Sequence, residues 1–134
     1  VELIYQELGD YDKAVDALEH ALSIIERHEN AGTEIVATYA NLGESLLRAG
    51  RLKEAQDKLT EAVRRYQLKG VRGYHYIAAL SAVAEVWYRQ EDYQQALKFY
   101  QLAAEELYSV YGDNDTYRVI MNNIETVKAK LQQQ

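Results

Sequence analysis

A short turn block occurs three times in this chain, at a constant interval of 41 residues. Gly9-Asp10-Tyr11-Asp12-Lys13-Ala14 returns as Gly50-Arg51-Leu52-Lys53-Glu54-Ala55, and again as Glu91-Asp92-Tyr93-Gln94-Gln95-Ala96. A fixed period of this size marks stacked supersecondary units, because one unit alone cannot bury its apolar face. That constraint excludes most folds before any single residue is considered.

The segment after each turn carries the same stripe. It reads Ala14, Leu18, Ala21, Leu22, Ile25 in the first copy. It reads Ala55, Leu59, Ala62, Val63, Tyr66 in the second and Ala96, Tyr100, Ala103, Ala104, Leu107 in the third. Spacings of i, i+4, i+7, i+8 and i+11 trace one face of an α-helix. The segments before the turns, from Thr38 to Ala49 and from Ile77 to Gln90, are striped as well, with Gly43 the one breaker. Loops are short. Asn30-Ala31-Gly32 closes one unit with Thr33 as the expected N-cap. Gly70-Val71-Arg72-Gly73 closes the next, and Gly112-Asp113-Asn114-Asp115 closes the third. Seven helices are expected, over about 1–8, 11–29, 34–49, 52–68, 74–90, 93–111 and 115–131, and no strands.

Composition agrees. A chain of 134 residues fits one domain or a short repeat array, and 48% hydrophobic content supports a core. Proline is absent, as suits uninterrupted helices. Cysteine is absent too, which excludes disulfides, thiolate zinc sites and cysteine nucleophiles. No apolar run approaches the roughly 18 residues of a membrane span, and no secretory signal is visible. A cytoplasmic location is the expectation. The chain begins at Val1 and its only methionine is Met121, so it reads as a piece of a longer protein.

The net charge of −6 is unevenly spread: −7 over residues 1–49, +4 over 50–90 and −3 over 91–134. An acidic total argues against nucleic-acid binding, which needs a basic footprint. The basic middle, densest at Arg64, Arg65, Lys69 and Arg72, has two readings. It is a docking patch for an acidic partner, or a set of cations at a helix C-terminus that complement its dipole. The second is the better supported, since most charge runs are solvated faces.

The pattern within each unit resembles the tetratricopeptide repeat. The middle unit gives Tyr39, Leu42, Gly43, Leu46, Gly50, Leu52, Ala55, Leu59 and Ala62 at its spacing. The third gives Leu80, Val83, Ala84, Trp87, Glu91, Tyr93, Ala96, Tyr100 and Ala103. The first keeps Tyr5, Gly9, Tyr11, Ala14, Leu18 and Ala21. The 41-residue period resembles the longer-helix variety found in kinesin light chains, and Tyr111-Gly112-Asp113-Asn114-Asp115 with Met121-Asn122-Asn123-Ile124 resembles its inter-repeat loop and next helix, without the usual proline. The resemblance implies an all-α, right-handed α-α superhelix forming a single domain over 1–134. Repeat 1 (1–32) is truncated, repeats 2 and 3 cover 33–73 and 74–114, and a capping helix covers 115–131. Glu125 falls at the register position of Gly43 and Ala84, and Lys128 at that of Leu46 and Trp87, which marks the last helix as a solvating cap. At the other end, Val1, Leu3, Ile4, Tyr5 and Leu8 form an apolar surface through which the truncated first helix would self-associate.

No catalytic constellation is evident. His20, His28 and His75 have no second ligand at metal spacing, and no Gly-rich phosphate loop is present. The expectation is no enzyme, no metal and no cofactor. The resemblance implies instead a concave surface lined by the first helix of each unit. Its rows are Ala37, Ala78, Val119; Ala40, Ser81, Asn122; and Asn41, Ala82, Asn123. One turn further come Glu44, Glu85, Thr126; Leu47, Tyr88, Ala129; and Arg48, Arg89, Lys130. Asn41 and Asn123 sit where related peptide-binding repeats place an asparagine that hydrogen-bonds a ligand main chain, a task suited to an amide that donates and accepts. Candidate contacts are Asn41, Glu44, Arg48, Ser81, Glu85, Tyr88, Arg89, Asn123 and Lys130. For the charged members, simple i,i+4 helix support is an equal reading.

The leading function is a protein–protein interaction module of an adaptor or scaffold, binding a peptide or helix, with no nucleic-acid or membrane partner. The alternatives are a structural or self-associating segment of a longer superhelix, or a regulatory sensor domain in a signalling or transcription protein.

Overall fold

The computed structural model describes residues 10–25 and 32–134. The expected helix over 1–8, with its self-association surface, and the loop at Asn30-Ala31 lie outside the described residues, as does His28. Among the described residues there are six α-helices and no strands: α1 (Tyr11–Ile25), α2 (Gly32–Arg48), α3 (Leu52–Lys69), α4 (Tyr74–Arg89), α5 (Tyr93–Tyr111) and α6 (Asp115–Gln132). The chain divides into two compact units, Val1–Arg65 and Tyr66–Gln134, with α3 running through the division.

In the first unit α1 packs against α2. The stripe predicted for α1 is buried at Ala14, Leu18 and Leu22, joined by Val15, while Ala21 is half-buried. Asp10 caps the helix, its Oδ1 accepting from Lys13 N at 3.3 Å. α2 buries Val36, Leu42, Leu46 and Leu47 completely, and full burial of such a side chain stabilises by about 1.5–3 kcal/mol. Gly43 lies inside α2, where glycine costs about 1 kcal/mol relative to alanine. The cost has a cause: Leu59 of α3 lies directly against it, so that no side chain fits between them. One boundary differs from expectation. α2 is already helical at Gly32, so Thr33 lies within the helix.

In the second unit α4 packs on α5 and α5 on α6. Leu80, Val83, Ala84 and Val86 of α4 meet Ala96, Tyr100, Ala103, Ala104 and Leu107 of α5 in its core. Trp87, expected as the large filler, is half-buried, and its neighbour Val86 is fully enclosed. α6 adds Ile120, Ile124 and Val127. Asp92 caps α5 by accepting from Gln95 N at 3.2 Å, and Asn114 caps α6 by accepting from Tyr117 N at 2.8 Å.

The second and third of the turns that announce the repeat share one backbone design. After α2, Gly50 N donates to Leu47 O at 3.1 Å and Arg51 N to Leu46 O at 2.9 Å. After α4, Glu91 N donates to Tyr88 O at 3.0 Å and Asp92 N to Trp87 O at 2.9 Å. These are paired bonds that satisfy the last carbonyls of a helix through a left-handed residue. Gly50 supplies it with φ 80°, whereas Glu91 is forced into it with φ 64°.

Candidate interaction surface

The candidate contacts fall in both units, and each unit presents its own set. In the first, Asn41, Glu44 and Arg48 lie on α2. Asn41 is half-buried. Glu44 and Arg48 are exposed and pair at 3.6 Å, the i,i+4 arrangement that the register predicts. Such a pair contributes about 0.3–0.5 kcal/mol to its helix. Leu47 departs from expectation. Its register position was assigned to the lining, yet it is fully buried, because the last turn of α2 turns both Leu46 and Leu47 inward.

In the second unit Ser81, Glu85, Tyr88 and Arg89 lie along α4, and Asn123 and Lys130 on α6. Ser81, Tyr88, Asn123 and Lys130 are all half-buried. Glu85 and Arg89 form a close ion pair at 2.7 Å. Tyr88 meets Tyr93 edge-on, with ring centroids 5.4 Å apart and planes at 64°, so its ring is braced and not free to swing. Beneath this group Tyr100 is buried, and its hydroxyl is pushed up to about 12, chiefly by burial and then by the charge of Glu85 and by Tyr88. Tyr100 therefore stays neutral at physiological pH.

The basic middle is largely matched by carboxylates within each unit. In the first, Glu61 receives Arg64 and Arg65, each at 2.6 Å. Hydrogen bonds from Arg64, then Arg65, hold its carboxyl at about 2, overcoming an opposing contribution from burial. Arg65 also lies 4.6 Å from the centre of the Tyr39 ring, tying α3 to α2 by a cation–π contact. In the second unit Arg72 forks onto Glu106, with Nε 3.0 Å from Oε2, and its Nη2 donates to Ser109 at 3.0 Å. Glu106 also accepts from Gly73 N at the start of α4.

Sequence reasoning missed two tyrosine pairs. Tyr74 stacks on Tyr111 with centroids 4.2 Å apart, and Tyr108 meets Tyr117 at 5.3 Å. Tyr108 and Tyr117 are two walls of an open groove of about 520 Å³ between α5 and α6. The signal was the repeat register itself, which sets Met121 and Ile124 at the positions of Tyr39 and Leu42. Among the described residues, no group of three or more His, Cys, Asp or Glu side chains is placed to hold a metal ion, and no helix is long and apolar enough to cross a membrane.

Helix pairs joined by short turns, repeating every 41 residues and sharing one turn chemistry, define an all-α helical-repeat protein. Residues 3–67 match the family model of the tetratricopeptide repeat. That match covers just under half of the chain, and the fold of the described residues is that of tetratricopeptide-like helical repeats. Among solved structures it resembles the nearly identical TPR-like repeats of a candidate kinesin light chain from Podosopora anserina, with TM-score 0.86 and 16% identity over 98% of this chain and 64% of that one. It also resembles BtubC (BKLC) from P. vanneervenii, with TM-score 0.82 and 18% identity over 94% of this chain and 51% of that one. The chain thus spans between half and two thirds of the length of these structures. No curated protein gives a significant match. Repeats of this family commonly act as protein–protein interaction modules.

Proposed function

We propose that the chain is a non-catalytic protein-binding module, an adaptor or scaffold segment that engages a peptide or short helix through the first helix of each repeat. The observation that carries this reading is the row along α4. Ser81, Glu85, Tyr88 and Arg89 place a hydroxyl, an ion pair and a braced aromatic ring on one helix, all partly accessible. A rigid tyrosine supplies contact area at low entropic cost, and an ion pair at its side selects charge. Asn41, Glu44 and Arg48 on α2, with Asn123 and Lys130 on α6, are the further contacts proposed. Repeat 2 over 33–73 and repeat 3 over 74–114 are the proposed binding units, and 115–131 the proposed cap. Much of the charge on the chain is spent in carboxylate–arginine pairs such as Glu61–Arg65 and Arg72–Glu106, an arrangement that supports a binding surface over a reactive site. The net charge of −6 favours a protein partner over nucleic acid.

A displayed random-peptide library tests the proposal, with the wild type and an Asn41→Ala, Arg89→Glu double variant selected in parallel. Peptides enriched on the wild type and lost on the variant, at unchanged helix content, are expected. Peptides that bind both equally would remove these residues from the site.

A further inference from the structure

Two tyrosines close the open end of the α4–α5 hairpin. Tyr74 is the first residue of α4 and Tyr111 the last of α5, and the turn joining these helices lies at the opposite end. Their rings stack with centroids 4.2 Å apart and planes 21° from parallel, so the two faces are in van der Waals contact. Arg72 and Gly73 N both bond Glu106, which holds the chain just before Tyr74 against α5. The Tyr111 hydroxyl lies over Gly73, 3.4 Å from where a Cβ would stand.

The repeat itself does not call for this pair. One period earlier the same register positions hold Thr33 and Gly70. Core packing does not call for it either, since Tyr74 is 51% exposed and Tyr111 43%. The other tyrosine pairs among the described residues stand at 5.3, 5.4 and 6.2 Å with planes at 53°, 64° and 65°. Tyr74 and Tyr111 are therefore the closest and most nearly parallel of these phenols, and both are open to a reagent in solution. The chain has no cysteine to compete for an oxidant.

We propose that Tyr74 and Tyr111 are a site of oxidative cross-linking, at which a haem peroxidase supplied with hydrogen peroxide joins the two rings as dityrosine and staples the hairpin. The site is independent of the binding face proposed above. Each phenol gives up one electron and one proton, leaving a phenoxyl radical whose unpaired spin is shared with the ring carbons beside the oxygen. One such Cε of Tyr74 bonds to one of Tyr111. The hydrogen on each bonded carbon then moves to the oxygen of its own ring, which restores both phenols. The two electrons and two protons released reduce one hydrogen peroxide to two waters. Half-exposed rings turn from stacking to bonding geometry through side-chain motions of picoseconds to nanoseconds. The bond closes residues 74–111 into a ring and restricts the unfolded chain, as a disulfide does.

The full chain, in dilute solution, is treated with a haem peroxidase and limiting hydrogen peroxide, and the monomer is isolated. Dityrosine fluorescence is expected in the monomer, with a digest in which the peptides of Tyr74 and Tyr111 are joined with the loss of two hydrogen atoms. Tyr74→Phe and Tyr111→Phe keep the ring and remove the oxidisable hydroxyl. Each is expected to lower the fluorescence of the monomer at least tenfold, while Tyr108→Phe leaves it unchanged. The cross-linked monomer is expected to unfold at higher denaturant than Tyr74→Phe carried through the same treatment, a comparison that removes the effect of oxidation elsewhere. A cross-link at another pair, one formed chiefly between molecules, or none at all would overturn the site. A Tyr74–Tyr111 bond that leaves the midpoint unchanged would overturn the staple.

Discussion

Leu59 lies so close to Gly43 that a Cβ added to the glycine would stand 2.5 Å from Leu59 Cγ and 3.2 Å from Leu59 N. The glycine is the point at which α2 and α3 touch. Leu59 is 1% exposed, enclosed within the core. Gly43→Ala gains about 1 kcal/mol of helix propensity but overpacks the contact, which costs about 1–3 kcal/mol. A net loss of stability is expected in chemical denaturation. A gain would show that the two helices separate freely.

Glu91 gives the opposite prediction. It holds the left-handed turn position that Gly50 holds one repeat earlier, at φ 64° against 80°. A side chain there costs about 1–2 kcal/mol, part of which returns as the greater unfolded-state freedom of glycine. Glu91→Gly is expected to stabilise the chain by about 0.5–1 kcal/mol, read as a rise in denaturation midpoint. A destabilised variant would mean that the glutamate side chain holds the turn in another way.

These two positions show how much of the fold was legible in the amino-acid sequence. Among the described residues, helix order and the placement of the turns after α2 and α4 followed from the period, because Ala14, Ala55 and Ala96 mark one stripe at one spacing. The small residue at Gly43 was readable as a close approach. What escaped was side-chain direction within a helical turn. Leu47 and Tyr88 share a register position, yet Leu47 is fully buried and Tyr88 half-buried. Register alone gives the angle around a helix, while burial depends on which neighbours fill the adjoining space. The pairing of Arg72 with Glu106 also escaped, since the two lie 34 residues apart with no periodic signal joining them.

Glu61 makes the first unit sensitive to acid. Its folded pKa of about 2 lies below the ordinary carboxylate value of 4.5, so its contribution is complete above pH about 4.5. As pH falls from there through about 2, protonation breaks its bonds to Arg64 and Arg65 and the contribution is lost. Glu61→Gln is therefore expected to be less stable than wild type at pH 7 and nearly equal to it at pH 2. A difference independent of pH would assign the effect to packing.

Glu106 ties the start of α4 to α5 by accepting from both Arg72 and Gly73 N. Glu106→Ala is expected to raise amide hydrogen exchange several-fold at residues 72–76, leaving the middle of α5 protected. Uniform acceleration through α5 would show a wider structural role, and no acceleration would show that the fork is idle.

The central claim is that the first helix of a repeat is the binding face. Amide chemical shifts, recorded while a library-enriched peptide is titrated into labelled protein, test it most directly. The account predicts the largest changes at Ser81, Glu85, Tyr88 and Arg89, with Tyr108 and Tyr117 unmoved. Changes confined to other helices, or a library that yields no enriched peptide, would contradict it.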